Sequence, residues 1–206
     1  MTFPEPPAWE VFLDPRFTSQ MTLLEEIRDA FAAGLFSLGL DPNTTAAGEI
    51  DRAADRLIEM KGVIRAFDSA TYIDGLALGE LVAAEAYSSD FLQARELNAE
   101  LAFTIPDEGG LRWVDSMAVP ADAPHDGNGE RFMNFYLEPD VAAEVANSVG
   151  VDTGNAAAAE LLDSSLLDDP VIFPPPDVLT RVSFTADLGD EVEGLYREAW
   201  GRVQSA

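Results

Sequence analysis

Apolar residues follow two different spacings along the chain. In the first third they recur every three to four positions, as Ile27, Ala30, Phe31 and Leu35 do, which is typical of amphipathic helices. Continuous apolar runs, which are typical of buried strands, appear later. The predicted helices span residues 26–38, 49–67, 71–78, 89–98, 129–137, 139–148, 155–162 and 190–204. The predicted strands are the runs at residues 81–86 and 101–105 and a third run that carries Trp113 and Asp115.

Cap residues support several of these boundaries. Gly39 and Gly79 follow two of the predicted helices and fit C-terminal caps, while Thr44 or Thr45 can cap the long helix that comes next. Helices that alternate with apolar strands predict an α/β fold with a mostly parallel sheet flanked by helices. Residues 1–8 are rich in proline, and we expect them to fray.

The stretch of residues 106–120 carries the strongest functional signal. Gly109 and Gly110 form a turn that leads into a strand in which Trp113 and Asp115 lie two residues apart. Because side chains alternate along a strand, the ring and the carboxylate would lie on one face. This pair suits a slender cation, since the ring packs against methylene groups and the carboxylate accepts an ammonium group. The alternative is a hairpin with a core Trp and a solvated Asp.

A second pair of an aromatic residue and a carboxylate lies upstream. Tyr87 and Asp90 follow the apolar run that is predicted to form a strand. This pair could bind the same cationic ligand as is expected for Trp113 and Asp115. The alternative is that Ser88 and Ser89 only cap the next helix, with Asp90 in its first turn, where the helix dipole stabilises an anion.

Charge narrows the possible partners. The 206 residues contain 38 acidic and 12 basic side chains, which gives a net charge of -26. Such a surface repels phosphates and argues against nucleic acid and anionic membranes as partners. Two explanations of the acidity remain open, namely the binding of small cations and adaptation to high salt. The presence of only one lysine, Lys61, favours adaptation to high salt.

Several classes of chemistry lack the residues they need. The chain has no Cys, and its single His125 lies in a polar loop, so neither thiolate catalysis nor a Cys or His metal site is predicted. No apolar run approaches the ~20 residues of a membrane span. The first seven residues have no basic residue and no apolar core, so we expect no signal peptide in this chain.

The motifs together resemble the substrate-binding proteins of spermidine/putrescine ABC transporters. That family has a Pro-x-Glu-Gly-Gly turn, an aromatic-x-Asp strand and an Ala-x-Pro, and it more often has Trp where this chain has Tyr87. Residues 25–31 and 134–141 also resemble family segments, and the likeness covers residues 8 to 204. The matching positions in the turn and strand are Pro106, Glu108, Gly109, Gly110, Trp113, Asp115, Ala118 and Pro120.

The resemblance implies a type II periplasmic-binding-protein-like lobe. Residues 8–114 and 160–206 would form the ligand-binding lobe, which is the C-terminal lobe of the family. Residues 115–159 would cross the hinge and return to the other lobe, which is mostly absent from this chain. The apolar face of that return segment, with Phe132, Phe135 and Tyr136, would then need another partner.

The resemblance also implies a function. The chain would be the solute-binding component of an ABC-type polyamine uptake system at the periplasmic or extracytoplasmic face, and it would pass putrescine or spermidine to a membrane permease. Neither a catalytic residue nor a cofactor or metal ion is implied. The alternatives are an inactive lobe fragment, a binder of a different small solute, and a carboxylate-based hydrolase. The implied ligand-binding residues are Trp113, Asp115, Tyr87, Asp90, Asp29 and Glu26.

Overall fold

The computed structural model describes residues 8–206, so the segment expected to fray lies outside the described residues except for Ala8. The chain divides into two compact units. The first unit comprises the residues up to Trp113 together with Pro176–Ala206, and the second unit is Val114–Pro175. Within residues 8–206, no helix combines the length and the apolar character needed to cross a membrane.

The secondary structure is mainly helical. Two 3-10 helices, Trp9–Leu13 and Pro15–Phe17, precede β1 (Met21–Leu23), α1 (Ile27–Ser37), α2 (Ala47–Lys61), β2 (Ala66–Phe67), α3 (Tyr72–Ala77), β3 (Ala83–Ala84), α4 (Ser88–Leu97) and β4 (Gly110–Arg112). The second unit contains α5 (Asp126–Tyr136), α6 (Pro139–Val149), α7 (Ala156–Ala159) and α8 (Ser164–Leu167). The chain then completes the first unit with α9 (Pro176–Leu179), β5 (Val182–Phe184) and α10 (Gly189–Ser205).

Both sheets of the first unit are parallel. The larger sheet has the order β2-β1-β3, in which Thr22 of β1 pairs with Ala66 on one side and Ala84 on the other. The smaller sheet pairs β4 with β5, with Leu111 opposite Ser183. The predicted α/β class with parallel strands is therefore confirmed. Because the three strands of the larger sheet point the same way, their carboxyl ends share one edge, where ligands bind in many α/β proteins.

Helices α1, α2 and α10 form the core of the first unit. Phe31, Leu57 and Tyr196 have no exposed surface, and the Phe31 ring meets the Tyr196 ring edge-on at 5.0 Å between centroids. Gly34 lets α1 approach α2 closely, since a Cβ there would lie 3.1 Å from the carbonyl oxygen of Ala53. Burial of these large side chains supplies most of the packing energy of this unit.

The second unit has a smaller core, built largely from alanines. Ala142, Ala143 and Ala146 of α6 pack with three buried residues from the following segment. Those residues are Ala158, Leu162 and Leu166. The return to the first unit was expected at residue 160, but residues 160–175 lie in the second unit because Leu162 and Leu166 belong to its core.

Several predicted elements need correction. The helix predicted over residues 49–67 ends at Lys61, and residues 66 and 67 form β2 instead. The strand predicted at residues 81–86 keeps only Ala83 and Ala84, since its partner β1 is three residues long. Residues 101–105 form no strand: Phe103 packs against Phe91 at 5.4 Å, so this apolar run is partly buried without a ladder partner.

The third predicted strand ends earlier than expected. β4 stops at Arg112, which pairs with Phe184, the last residue of β5. Trp113 and Asp115 therefore follow the strand, and the prediction that they share a strand face is wrong. The partner strand, which sequence analysis did not predict, sets this limit.

Candidate functional site

Acidic and aromatic side chains gather at the carboxyl edge of the larger sheet. We call the six residues concerned, which follow β1 and β3 or pack beside them, the edge cluster. Its members are Asp29, Tyr72, Glu85, Tyr87, Asp90 and Trp113. All six belong to the first unit, and the fold brings them together from four separate segments of the chain.

Asp29 and Tyr87 form the centre of the edge cluster. The Tyr87 hydroxyl donates a hydrogen bond of 2.7 Å to Oδ2 of Asp29. Burial raises the pKa of Asp29, while the bond from Tyr87 and the charge of Arg28 partly oppose that rise. Burial and the bond to Asp29 also raise the pKa of Tyr87, so its hydroxyl stays protonated and acts as a donor near neutral pH.

Asp90 is held by a buried tyrosine. Tyr72 as a whole is only 1% exposed. Its hydroxyl donates a hydrogen bond to Oδ2 of Asp90 and accepts one of 3.4 Å from the backbone amide of Tyr87. Burial, followed by the hydrogen bond to Asp90, raises the pKa of Tyr72. Ser88 opens α4, whose N-cap is Tyr87 and has no side-chain cap hydrogen bond. The alternative in which the two serines cap this helix is therefore not what the structure shows.

Glu85 is a member that sequence analysis missed. Its Oε2 accepts a 2.9 Å bond from the amide of Leu24, directly after β1. Burial raises the pKa of Glu85 to about 8, the Leu24 amide opposes the shift, and the charge of Asp29 adds to it. The sequence did contain a sign of it, namely a glutamate inside the apolar run of residues 81–86. Burying a carboxylate in such a run costs free energy, so its presence indicates a possible functional role.

Trp113 joins the cluster through its ring. It lies edge-on to the ring of Tyr87, with 5.0 Å between centroids and an interplanar angle of 78°. The side chain remains 47% exposed. Trp113 is thus a member of the edge cluster although it is not on a strand, and its role as the ring that packs against a ligand stays a prediction.

The other two predicted site residues lie outside these contacts. Glu26 is exposed at the N-cap of α1 without a side-chain cap bond, and its charge contributes to the raised pKa of Tyr87. Asp115 is exposed, lies in a segment without regular structure and belongs to the second unit. Its part in the site stays a prediction.

The arginine next to the edge cluster in sequence, Arg28, binds other groups. Arg28 is next to Asp29 in sequence, but its guanidinium pairs with Glu193 at 2.7 Å and lies over the Tyr196 ring at 5.0 Å. Among the ion pairs found within residues 8–206, none uses a carboxylate of the edge cluster. The cluster therefore presents acceptors and aromatic surface that suit an organic cation.

Metal binding has less support. In the part of the chain that the structure describes, no group of three His, Asp or Glu side chains is placed to hold a metal ion. Two of the three edge-cluster carboxylates instead accept hydrogen bonds from tyrosine hydroxyls, an arrangement that favours a hydrogen-bonding ligand over an ion that needs a closed oxygen cage.

Comparisons of sequence find relatives over nearly the whole chain. Residues 2–179 match the family model described as bacterial extracellular solute-binding protein. The chain is 29% identical over 198 residues to the spermidine/putrescine-binding periplasmic protein of Salmonella typhimurium, and 32% identical over 211 residues to the putrescine-binding periplasmic protein PotF of Escherichia coli. Each match covers 96% of this chain and 57% of the relative, so the chain spans little more than half the length of these proteins.

A comparison of structures agrees. A putative spermidine/putrescine ABC transporter protein from Listeria monocytogenes superposes with a TM-score of 0.89 at 29% identity, covering 96% of this chain and 61% of that one. The TpPotD lipoprotein of Treponema pallidum gives a TM-score of 0.82 at 25% identity, covering 98% and 62%. The resemblance inferred from the sequence motifs and the periplasmic-binding-protein-like fold are thus confirmed.

Proposed function

Because the chain belongs to the family of bacterial extracellular solute-binding proteins, we propose that it binds a linear polyamine, putrescine or spermidine. The observation that carries this proposal is the edge cluster. In it the Tyr87 hydroxyl bonds to Asp29, the Trp113 ring lies edge-on to that of Tyr87, and Asp90 accepts a hydrogen bond from Tyr72. Several relatives are named as binding proteins for putrescine or spermidine. The function is solute binding, as in the family, and not catalysis.

Each part of the cluster has a role in this proposal. An ammonium group of the ligand lies between Asp29 and Asp90 and donates charge-assisted hydrogen bonds to them. The methylene chain packs on the exposed ring of Trp113, and cation–π contact with an aromatic face adds ~0.5–2 kcal/mol. Glu26, at the N-cap of α1, is a further carboxylate for the second amine of the ligand.

The biological role follows that of the relatives. We place the protein at the periplasmic or extracytoplasmic face, where it delivers the polyamine to an ABC transporter permease. Binding by this chain alone should be weak. An ion pair between an ammonium group and a carboxylate in contact with water contributes only ~1 kcal/mol at 4 Å. About three such pairs and one cation–π contact give a total of about 4 kcal/mol, which corresponds to a roughly millimolar dissociation constant.

Isothermal titration calorimetry at low salt tests the proposal. Putrescine and spermidine are titrated into the full chain, with sulfate and glucose as competing probes of other solute classes. Asp29→Asn should weaken amine binding about tenfold or more, because it removes a charged acceptor. Asp74→Asn is the matched control, since Asp74 is an exposed acid in the first turn of α3 and leaves the edge cluster intact.

Two results would contradict the proposal. One is tighter binding of sulfate or glucose than of either amine, which would assign the site to another solute class. The other is equal loss of affinity in the Asp29 and Asp74 variants, which would show that only the overall acidity of the protein attracts the amine. Repeating the titration at high salt separates these effects, since diffuse attraction is screened more strongly than a contact.

A further inference from the structure

We propose that Glu85 is an additional ligand-contacting carboxyl of the edge cluster, which holds a proton in the unliganded protein and releases it when an ammonium group binds. This inference rests on the proposed function and deepens it, because it makes amine binding proton-coupled. Sequence motifs did not single out Glu85. Its role follows from where the backbone places it and from which charges surround it.

The backbone fixes the position of Glu85. Its amide donates a 3.0 Å bond to the carbonyl oxygen of Thr22, which continues the pairing of β3 with β1 one residue beyond the strand. Side chains alternate along extended backbone, so Glu85 and Tyr87 project from the same face. The Leu24 amide holds one carboxyl oxygen at 2.9 Å. The carboxyl group is therefore anchored at the sheet edge, next to the Tyr87–Asp29 pair.

The charged group that acts on Glu85 is an acid. The negative charge of Asp29, on α1, raises the pKa of Glu85. The charges of Asp29, Glu26 and Glu85 likewise add to the raised pKa of the Tyr87 phenol. From α3, Tyr72 packs in the same apolar group as Ala84 and Ala86, which flank Glu85. None of the ion pairs identified within residues 8–206 includes Glu85.

Burial without a countercharge favours the neutral acid. It raises the pKa of Glu85 to about 8, and that of Asp29 is raised as well. A proton therefore remains on Glu85 near neutral pH as long as no cation is present. The carboxyl groups of Asp29 and Glu85 influence each other electrostatically. A primary ammonium group that binds between them would supply the positive charge that stabilises both as carboxylates.

The binding step is a simple exchange. The neutral carboxyl of Glu85 loses its proton to solvent, the carboxylate that remains accepts a hydrogen bond from the ammonium group of the ligand, and no covalent bond of the ligand changes. The net charge of the site therefore falls by one before the cation restores it. Affinity rises with pH up to about 8 and then levels off, because above that pH the proton has already left.

Calorimetry in two buffers measures the exchange. The full chain is titrated with putrescine at pH 7 in phosphate and in Tris, whose ionisation enthalpies differ, and the difference in observed heat gives the number of protons released. We expect close to one proton for the wild-type protein. Glu85→Gln should remove most of the proton release and weaken binding about tenfold above pH 8. Glu100→Gln, which removes an exposed acid outside the cluster, should match the wild type.

Failure of this inference differs from failure of the proposed function. Putrescine binding with proton release that Glu85→Gln leaves unchanged would overturn the role of Glu85 while amine binding stands. No binding of any amine would overturn both. Carbon-13 NMR of the wild-type carboxyl groups needs neither ligand nor variant, and a midpoint for Glu85 below about 5, the range of an ordinary glutamate, would overturn the inference even if Glu85→Gln failed to fold.

Discussion

The two units of the chain bury their apolar residues to very different extents. In the first unit, large side chains such as Phe31, Leu57 and Tyr196 are completely buried between three helices and the larger sheet. In the second unit, α5 has no buried residue, and Phe132 and Phe135 are 57% and 55% exposed. The second unit therefore gains much less free energy from its own packing.

The difference separates a supporting framework from a weakly packed segment. A site that must hold two carboxyls close together needs rigid neighbours, and the first unit provides them through its core and its parallel sheet. The edge cluster accordingly lies in the first unit. In the second unit, α5 exposes large apolar side chains such as Phe132 and Phe135, and the assignment of residues 115–159 to a return segment of a two-lobed protein stays a prediction.

The sharpest test of this comparison replaces one phenylalanine in each unit. Phe31→Ala should lower the free energy of unfolding by about 3–5 kcal/mol, since it leaves a cavity in a packed core. Phe132→Ala should change it by at most about 0.5 kcal/mol, because more than half of that side chain is already in water. Urea unfolding followed by circular dichroism measures both. Equal losses would mean that the two units are equally well packed.

Glycines offer a second contrast between the units. Gly109 has φ +121°, and a Cβ there would clash with the carbonyl oxygen of Arg181, so Gly109→Ala should lower the free energy of unfolding by about 2–4 kcal/mol. Gly127 of α5 has nothing within 4 Å, and Gly127→Ala should stabilise the helix by about 0.4–1 kcal/mol. Thermal and urea unfolding report both signs. A destabilising Gly127→Ala would show that α5 is more tightly packed than its exposure indicates.

The pH dependence of stability tests the framework at the site itself. Between pH 4.5 and about 8 the folded protein keeps the Glu85 proton that the unfolded chain has lost, so the free energy of unfolding falls as pH rises across this interval. We expect Glu85 to contribute about 2 kcal/mol to this fall, less than the full pKa shift implies because the residue is not completely buried. Urea unfolding at pH 5, 6.5 and 8.5 should show a shallower decline for Glu85→Gln than for Glu100→Gln.

The smallest expected effect concerns a single hydrogen bond. Tyr87→Phe removes the 2.7 Å bond to Asp29 and should lower the free energy of unfolding by about 1 kcal/mol. The same change should raise the pKa of Asp29 further, because that bond now opposes the effect of burial. NMR titration of the Asp29 carboxyl checks the direction. A lower pKa in the variant would show that water replaces the lost donor.

Local sequence signals predicted the helices well. The stripe that begins at Ile27 gave α1 to within one residue at each end, and α3, α4, α6 and α10 also lie within one residue of their predicted bounds. This agreement has a physical basis, since an amphipathic helix satisfies its own backbone hydrogen bonds and needs only one apolar face. Three members of the edge cluster, Tyr87, Asp90 and Trp113, were found from short motifs, and Asp29 was found from the resemblance to the family. Tyr72 and Glu85 were not singled out.

Strand bounds could not be predicted with the same success. A strand ends where its partner ends, and β1, β3 and β4 are limited by partners that are distant in sequence, so residues 101–105 and Trp113 have no ladder to join. Glu85 was missed for a related reason. Only the pairing of β3 with β1 brings its carboxyl group to the Leu24 amide and close to Asp29.

The sequence by itself determined the α/β class, the main helices and an acidic, aromatic chemistry suited to organic cations, because each of these depends on local spacing or on composition. The family followed from the resemblance of its motifs to those of known proteins. The tertiary structure alone decided which carboxyls share an environment. It joined Asp29 to Tyr87 and Asp90 to Tyr72 by hydrogen bonds, and it placed the partly buried Glu85 within the electrostatic influence of Asp29. The physical reason is that burial and electrostatic coupling depend on distances between residues far apart in the chain, and those distances are set only when the parallel sheet forms.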